Sequence, residues 1–125
     1  MRLTICLTAV IALCASSTAL TAKPADAQIN STSWTYAEKD GTKIQMSVDA
    51  DGNYIENTAA GKHHDHGTAM LKGDKVCFTS AMNKDGESCW TNKAVKVGQS
   101  MVTKSDKGET LKVTRVAYTP LSMPK

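Results

Sequence analysis

Residues 42–58 read TKIQMSVDADGNYIENT, and this stretch predicts a β-hairpin. In its first half Ile44, Met46 and Val48 alternate with polar residues, which is the pattern of a strand with one buried face. The dipeptide Asp51-Gly52 follows, and it supplies the positive φ that a tight turn between two strands requires. The stretch therefore predicts two antiparallel strands on either side of this turn.

The same signals recur along the rest of the chain. Turn pairs that contain glycine fall mostly 10 to 12 residues apart, a spacing typical of the short strands of a sandwich or barrel. We predict an all-β fold, an antiparallel up-and-down meander of about eight short strands that forms a small barrel or sandwich. Closure into a barrel would remove the exposed sheet edges. The predicted strands are 32–38, 42–49, 53–58, 65–72, 75–80, 87–91, 98–105 and 109–118.

The N-terminal stretch predicts export. Met1-Arg2 gives a small positive region, a long uncharged run follows, and Ala25-Asp26-Ala27 has the form of a signal-peptidase site. A membrane span would need roughly 20 strongly apolar residues, whereas this run is diluted by Thr, Ser and Ala. We therefore expect residues 1–27 to be a signal peptide and the protein to be periplasmic or secreted. Cleavage after Ala22 and lipidation at Cys14 are the alternatives.

Removal of the signal peptide leaves 98 residues, which is enough for one domain. We expect an N-terminal extension at 28–32, a β-barrel domain at 33–118 and a flexible tail at 119–125.

The whole chain carries a formal charge of +3 with both signs interspersed. This argues against binding of nucleic acid, which favours basic residues clustered on one face. We expect a monomer with no transmembrane span in the mature chain.

Cys77 and Cys89 are the only cysteines that remain after this cleavage. Two cysteines in an exported protein usually pair. If they lie opposite each other in a hairpin, Val76, Phe78 and Trp90 share the other face of that hairpin. Closure of a loop of this length is worth roughly 3 kcal/mol. The spacing therefore predicts a structural disulfide.

All three histidines of the chain lie in the run His63-His64-Asp65-His66. Imidazole nitrogens together with a carboxylate suit Zn, Cu or Ni. In a loop all four side chains would be free to converge, whereas on a strand His64 and His66 would share one face and Asp65 the other. The alternative is a solvated polar turn whose histidines become charged in acid. The run therefore allows two interpretations. The protein either has no cofactor, or it binds a divalent metal through His63, His64, Asp65 and His66.

Four aromatic residues form a candidate patch for a ligand or a partner, namely Trp34, Tyr36, Tyr54 and Trp90. They either pack in the core, line a small apolar pocket or form an exposed patch for a protein. No Gly-x-Ser-x-Gly or Ser-x-x-Lys motif marks a nucleophile. We therefore predict a binding or inhibitory module without catalytic activity, whose partner is an envelope protein or a small ligand.

Five short motifs are spread along the predicted mature chain: Trp34-Thr35-Tyr36, Asp51-Gly52-Asn53-Tyr54, Asp65-His66-Gly67-Thr68, Cys77-Phe78 and Cys89-Trp90. In these motifs the chain resembles small exported proteins of proteobacteria, and the resemblance implies export but no particular activity. In architecture alone it is similar to periplasmic β-barrel inhibitors of lysozyme and of metalloproteases. The Ser-Gly-x-x-Tyr-like loop of the lysozyme inhibitors is absent, and fold alone does not imply their function.

Overall fold

The computed structural model describes residues 28–124, which form eight antiparallel β-strands and no helix. The predicted signal peptide at 1–27 and the last residue, Lys125, lie outside the described residues. Within the described part, no helix has the length and apolarity that a membrane crossing requires. The strands are β1 (Thr32–Ala37), β2 (Lys43–Val48), β3 (Asn53–Thr58), β4 (His63–Lys72), β5 (Lys75–Ser80), β6 (Glu87–Thr91), β7 (Ser100–Lys104) and β8 (Thr110–Val116).

The strands form one sheet in the order β6-β5-β4-β3-β2-β1-β8-β7. The first and last strands, β1 and β8, are neighbours in this sheet. The sheet curls so that its two edge strands, β6 and β7, contact each other. We call the contact between β6 and β7 the seam. It consists of a bridge between Trp90 and Ser105, a hydrogen bond of 2.6 Å from the Thr103 hydroxyl to the Thr91 carbonyl, and flanking contacts. The all-β meander predicted from the sequence is thus confirmed as a nearly closed barrel.

The hairpin of β2 and β3 shows why these residues adopt their local structure. The Asp49 carboxylate accepts hydrogen bonds of 2.9 Å from the backbone N–H groups of Asp51 and Asn53. These bonds lower the pKa of Asp49 and fix the turn between β2 and β3. Gly52 lies in this turn with a φ of 85°, a conformation that glycine adopts without steric cost.

The disulfide between Cys77 and Cys89 is present and joins β5 to β6. The two cysteines lie directly opposite each other, and on the neighbouring positions Val76 pairs with Trp90. Phe78 pairs with Ser88 in the same ladder. The hairpin therefore presents its apolar side chains to the barrel interior and holds the disulfide on its other face.

Residues 28–31 close the end of the barrel at which β1 begins, which we call the lower end. Ile29 is only 4% exposed and belongs to the hydrophobic core. Its carbonyl accepts a hydrogen bond from the Thr32 hydroxyl, which in turn accepts one of 2.8 Å from the Trp34 indole N–H. The expected N-terminal extension therefore packs against the barrel, and Thr32 already belongs to β1.

The segment after β8 also contacts the barrel. The backbone N–H of Thr119 donates to the Ser33 hydroxyl over 2.9 Å, and that of Leu121 donates to the Ser47 hydroxyl over 2.9 Å. Ser33 and Ser47 are buried polar residues of β1 and β2. The segment predicted as a flexible tail is therefore held against the barrel at these two residues.

Candidate functional site

The barrel encloses a cavity of about 260 Å³. Ile29 lines its lower end, where residues 28–31 close the barrel. Four other lining residues are exposed, and all four lie in the β5–β6 and β7–β8 turns at the opposite, upper end. The cavity therefore opens at the upper end, between these two turns. The exposed lining residues are Asn83, Asp85, Gly86 and Lys107.

The four aromatic residues of the predicted patch all line this cavity. Trp34 and Tyr54 are buried, and Tyr36 and Trp90 are partly buried. The Tyr54 ring meets that of Phe78 edge to face, with ring centroids 5.2 Å apart. The structure thus places the four side chains together around an interior space, where a molecule inside the barrel would touch them.

Asn92 supplies a polar group to the lower half of this cavity. Its side chain is only 5% exposed and contributes to the lining. Neither the nitrogen nor the oxygen of its amide has a hydrogen-bond partner among the described residues. A buried amide without a partner costs roughly 1–3 kcal/mol, a cost that a molecule hydrogen-bonded to it inside the cavity would offset.

Asp65 lies on the inner face of β4, in the upper half of the cavity. Its carboxylate accepts a hydrogen bond of 2.8 Å from the Tyr54 hydroxyl and one of 2.6 Å from the Ser80 hydroxyl. Burial, followed by the bond to Asp65, raises the pKa of Tyr54. Tyr54 therefore stays protonated and acts as a donor that fixes the carboxylate.

Glu56 faces the same upper half from β3, and its carboxylate lies near the Tyr36 hydroxyl. Burial is the main influence and raises the pKa of Glu56 to about 7, while the Tyr36 hydroxyl acts against it. The nearby Asp65 raises this pKa further, and His64 lowers it. Burial and then the charge of Glu56 raise the pKa of Tyr36. Glu56 is therefore an interior acid that changes its charge near neutral pH.

A bulge between β3 and β4 separates the histidines of the run. Glu56 pairs with Asp65 and Asn57 pairs with His63, so His64 is an extra residue on β4. A bulge of this kind turns a side chain away from the regular alternation. The strand also begins two residues earlier than the predicted 65–72, because His63 already pairs with β3.

The three imidazoles consequently have different partners. His63 and His66 meet on the outer face, with 3.1 Å between the Nε2 atom of His63 and the Nδ1 atom of His66. The Nδ1 atom of His63 lies 3.0 Å from the Asn57 side-chain oxygen. His64 instead contacts the Glu38 carboxylate at 2.8 Å. The structure thus brings together two of the four predicted ligands and directs His64 and Asp65 elsewhere.

One other group of possible ligand atoms comes close together in residues 28–124, formed by Cys77, Glu87 and Cys89. Both sulfurs are joined in the disulfide. A metal binds cysteine as the thiolate, so this group offers a single carboxylate while the disulfide is intact.

Several cavity residues were not identified from the sequence, above all Glu56, Ser80 and Asn92. For Glu56 a signal was available, because it lies two residues after Tyr54 and alternation places both on one face. Asn92 follows the last residue of β6, where alternation gives no guidance, and only the closed barrel brings it to the interior.

Comparisons of this chain with protein-family models, with curated proteins and with solved structures find no match.

Proposed function

We propose that the protein binds a small molecule inside the barrel, one with a positively charged head, an apolar body and a hydrogen-bonding group at the far end. The observation that carries this proposal is the cavity of about 260 Å³ with the amide of Asn92 in its lining, an amide that has no hydrogen-bond partner in residues 28–124. Ligand sites in proteins are mostly apolar cavities with a few well-placed polar groups, and this interior has that composition.

The apolar body is supported by the middle of the cavity, where aromatic and aliphatic side chains line the wall. A flat ring suits such a wall, because aromatic side chains pack edge to face or offset against other rings. The space is large enough for a single ring with short substituents. The lining here includes Trp34, Met46, Tyr54, Val76, Phe78, Trp90, Met101 and Val113.

The charged head is supported by the balance of charges near the mouth. Three carboxylates line the cavity, those of Glu56, Asp65 and Asp85, against the single ammonium group of Lys107. Asp65 already accepts two hydrogen bonds that hold it in place. An ammonium group on the ligand would complement this arrangement, whereas a carboxylate would be repelled.

Three related probes test both ends of the site: tyramine, 2-phenylethylamine and 3-(4-hydroxyphenyl)propionate. Both tryptophans of the chain line the cavity, so their fluorescence reports any occupant. We expect tyramine to bind tightest, because the second probe lacks the hydroxyl for Asn92 and the third carries a carboxylate at the mouth. The hydroxyl should be worth about fivefold in affinity, or about 1 kcal/mol.

Variants of the full chain make this test specific. In Asn92→Leu the advantage of tyramine over 2-phenylethylamine should disappear, and in Glu56→Gln both amines should bind more weakly. Val102→Ala is the matched control, since Val102 is 63% exposed on β7. Absence of saturable binding by all three probes up to millimolar concentration would overturn the proposal. So would an unchanged tyramine preference in Asn92→Leu.

We also propose that the protein acts as an exported monomer without catalytic activity. The predicted signal peptide and the disulfide between Cys77 and Cys89 support export. Expression of the full chain in a Gram-negative host tests this proposal through the intact mass of the protein in the periplasmic fraction. A mass that begins at Gln28, with the two cysteines oxidised, is expected. Retention of residues 1–27 in the cytoplasm would contradict it.

A further inference from the structure

We propose that His63 and His66 form a bidentate site for Cu²⁺ on the outer face of the barrel, separate from the cavity. The two nitrogens that face each other are already 3.1 Å apart. Metal–imidazole bonds measure about 2.0 Å, and two nitrogens at the observed separation then subtend about 100° at the metal. This angle suits two adjacent positions of a square or tetrahedral coordination shell.

Asn57 orients the first ligand. Its side-chain oxygen is an acceptor, so the Nδ1 atom of His63 carries the proton and its Nε2 atom presents a lone pair. That lone pair accepts a hydrogen bond from the Nδ1–H of His66 in the metal-free protein. When the metal binds in place of this proton, His66 adopts its other tautomer, in which the proton is on the Nε2 atom. An outer partner that fixes the ligand ring in this way is a regular feature of histidine metal sites.

The bulge creates the pair. Residues at i and i+3 of a regular strand point to opposite faces. The extra residue His64 restores His63 to the face of His66, opposite Asn57 and Ile55 of β3. Both imidazoles are partly exposed there, so an ion reaches them without entering the barrel.

The ligand set explains the choice of metal. Imidazole binds first-row divalent ions, and Cu²⁺ heads their affinity order. In residues 28–124 no third histidine, cysteine or carboxylate atom lies close enough to both nitrogens to complete a group of three. The remaining coordination positions would therefore hold water, an arrangement that Cu²⁺ tolerates better than a structural Zn²⁺ site, which closes with four protein ligands.

Titration of the full chain with Cu²⁺ alone, at a fixed neutral pH in a non-coordinating buffer, tests the site by calorimetry. We expect His63→Ala and His66→Ala each to weaken binding about 100-fold, because the second ligand of a linked pair adds at least that much. Asn57→Ala should weaken it about tenfold through the loss of orientation. His64→Ala is the matched control, since its imidazole contacts Glu38 and not the pair.

Electron paramagnetic resonance of the Cu²⁺ complex distinguishes the ligands directly. Hyperfine coupling from two imidazole nitrogens is expected in the wild type and in His64→Ala, and from only one in the single variants of the pair. Equal weakening by His64→Ala, or wild-type affinity no better than that of a His63→Ala/His66→Ala variant, would overturn the proposal. Circular dichroism confirms that each variant has folded.

Discussion

Glu56 is a carboxylic acid inside a barrel, and its surroundings control its charge. Burial raises its pKa from 4.5 to about 7, with Asp65 and Glu38 acting in the same direction and Tyr36 and His64 against it. The folded protein thus holds this proton more tightly than the unfolded chain does. The resulting contribution to stability is complete below about pH 4.5 and is lost as the pH rises through about 7.

The variant Glu56→Gln tests this dependence. Glutamine has nearly the shape of glutamate but carries no charge, so the loss of stability between pH 4.5 and 7 should shrink in the variant. Above pH 7 we expect Glu56→Gln to be the more stable protein, by at most about 3 kcal/mol. Urea denaturation of both proteins across this range measures the difference. Parallel curves at every pH would contradict the interior position of this charge.

Asn92 gives a second prediction at this scale. Leucine has nearly the shape of asparagine but no polar atoms, so Asn92→Leu removes two buried groups that have no partner in residues 28–124. We expect the ligand-free variant to be about 1 kcal/mol more stable than the wild type. Thermal or urea unfolding checks this expectation. Destabilisation would mean that the amide is satisfied in the absence of a ligand, for instance by water.

The strands show how much of the fold the sequence predicts. Alternation and turn residues gave β2 and β3 to within one residue, because a strand with one buried face has a clear period. The disulfide fixed the register of β5 and β6, and Cys77 does pair with Cys89. The general closure of the sheet followed from the same pattern, since a meander without exposed edges is favoured.

The sequence did not predict the geometry of β4. Its first half reads HHDHG, where polar residues occupy both faces and no apolar alternation defines the register. The position of the bulge at His64 depends on pairing with β3, which is a contact between distant residues. The division of the histidines into an outer pair and a residue that contacts Glu38 therefore became visible only in the structure.

Gly67 is required for the packing of β4 against β5. A Cβ atom at this position would lie 2.0 Å from the Thr79 carbonyl oxygen, so any side chain forces the two strands apart. We expect Gly67→Ala to destabilise the protein by about 3 kcal/mol, measured by urea unfolding. Thr68→Ala on the neighbouring exposed position is the control and should change stability by less than about 0.5 kcal/mol. A tolerated alanine at position 67 would show that the strands separate easily there.

For the molecule as a whole, the seam is the weakest part of the barrel. Strand β6 has a full ladder with β5 but only the Trp90–Ser105 bridge and a few flanking hydrogen bonds with β7. The disulfide lies one position from that bridge, at Cys89. It therefore supports the strand that has least support on its other side.

Replacement of both cysteines by serine should lower the free energy of unfolding by about 3 kcal/mol, as measured in urea. The loss should be uneven, because a strand with one complete neighbour opens more readily than one with two. We expect hydrogen exchange to accelerate most in residues 87–91 and 100–104, and least in β2. Uniform acceleration along the chain would show that the seam does not open separately.

The up-and-down order of the strands has a consequence for how the protein can be displayed. Strand β1 begins and β8 ends at the lower end, with residues 28–31 and the segment after Val116 beside them. The mouth of the cavity faces the opposite way, between the β5–β6 and β7–β8 turns. A cargo, surface or second domain joined at residue 28 or after residue 124 would therefore be attached at the end of the barrel opposite the mouth, so tethering and access to the cavity need not compete for the same end.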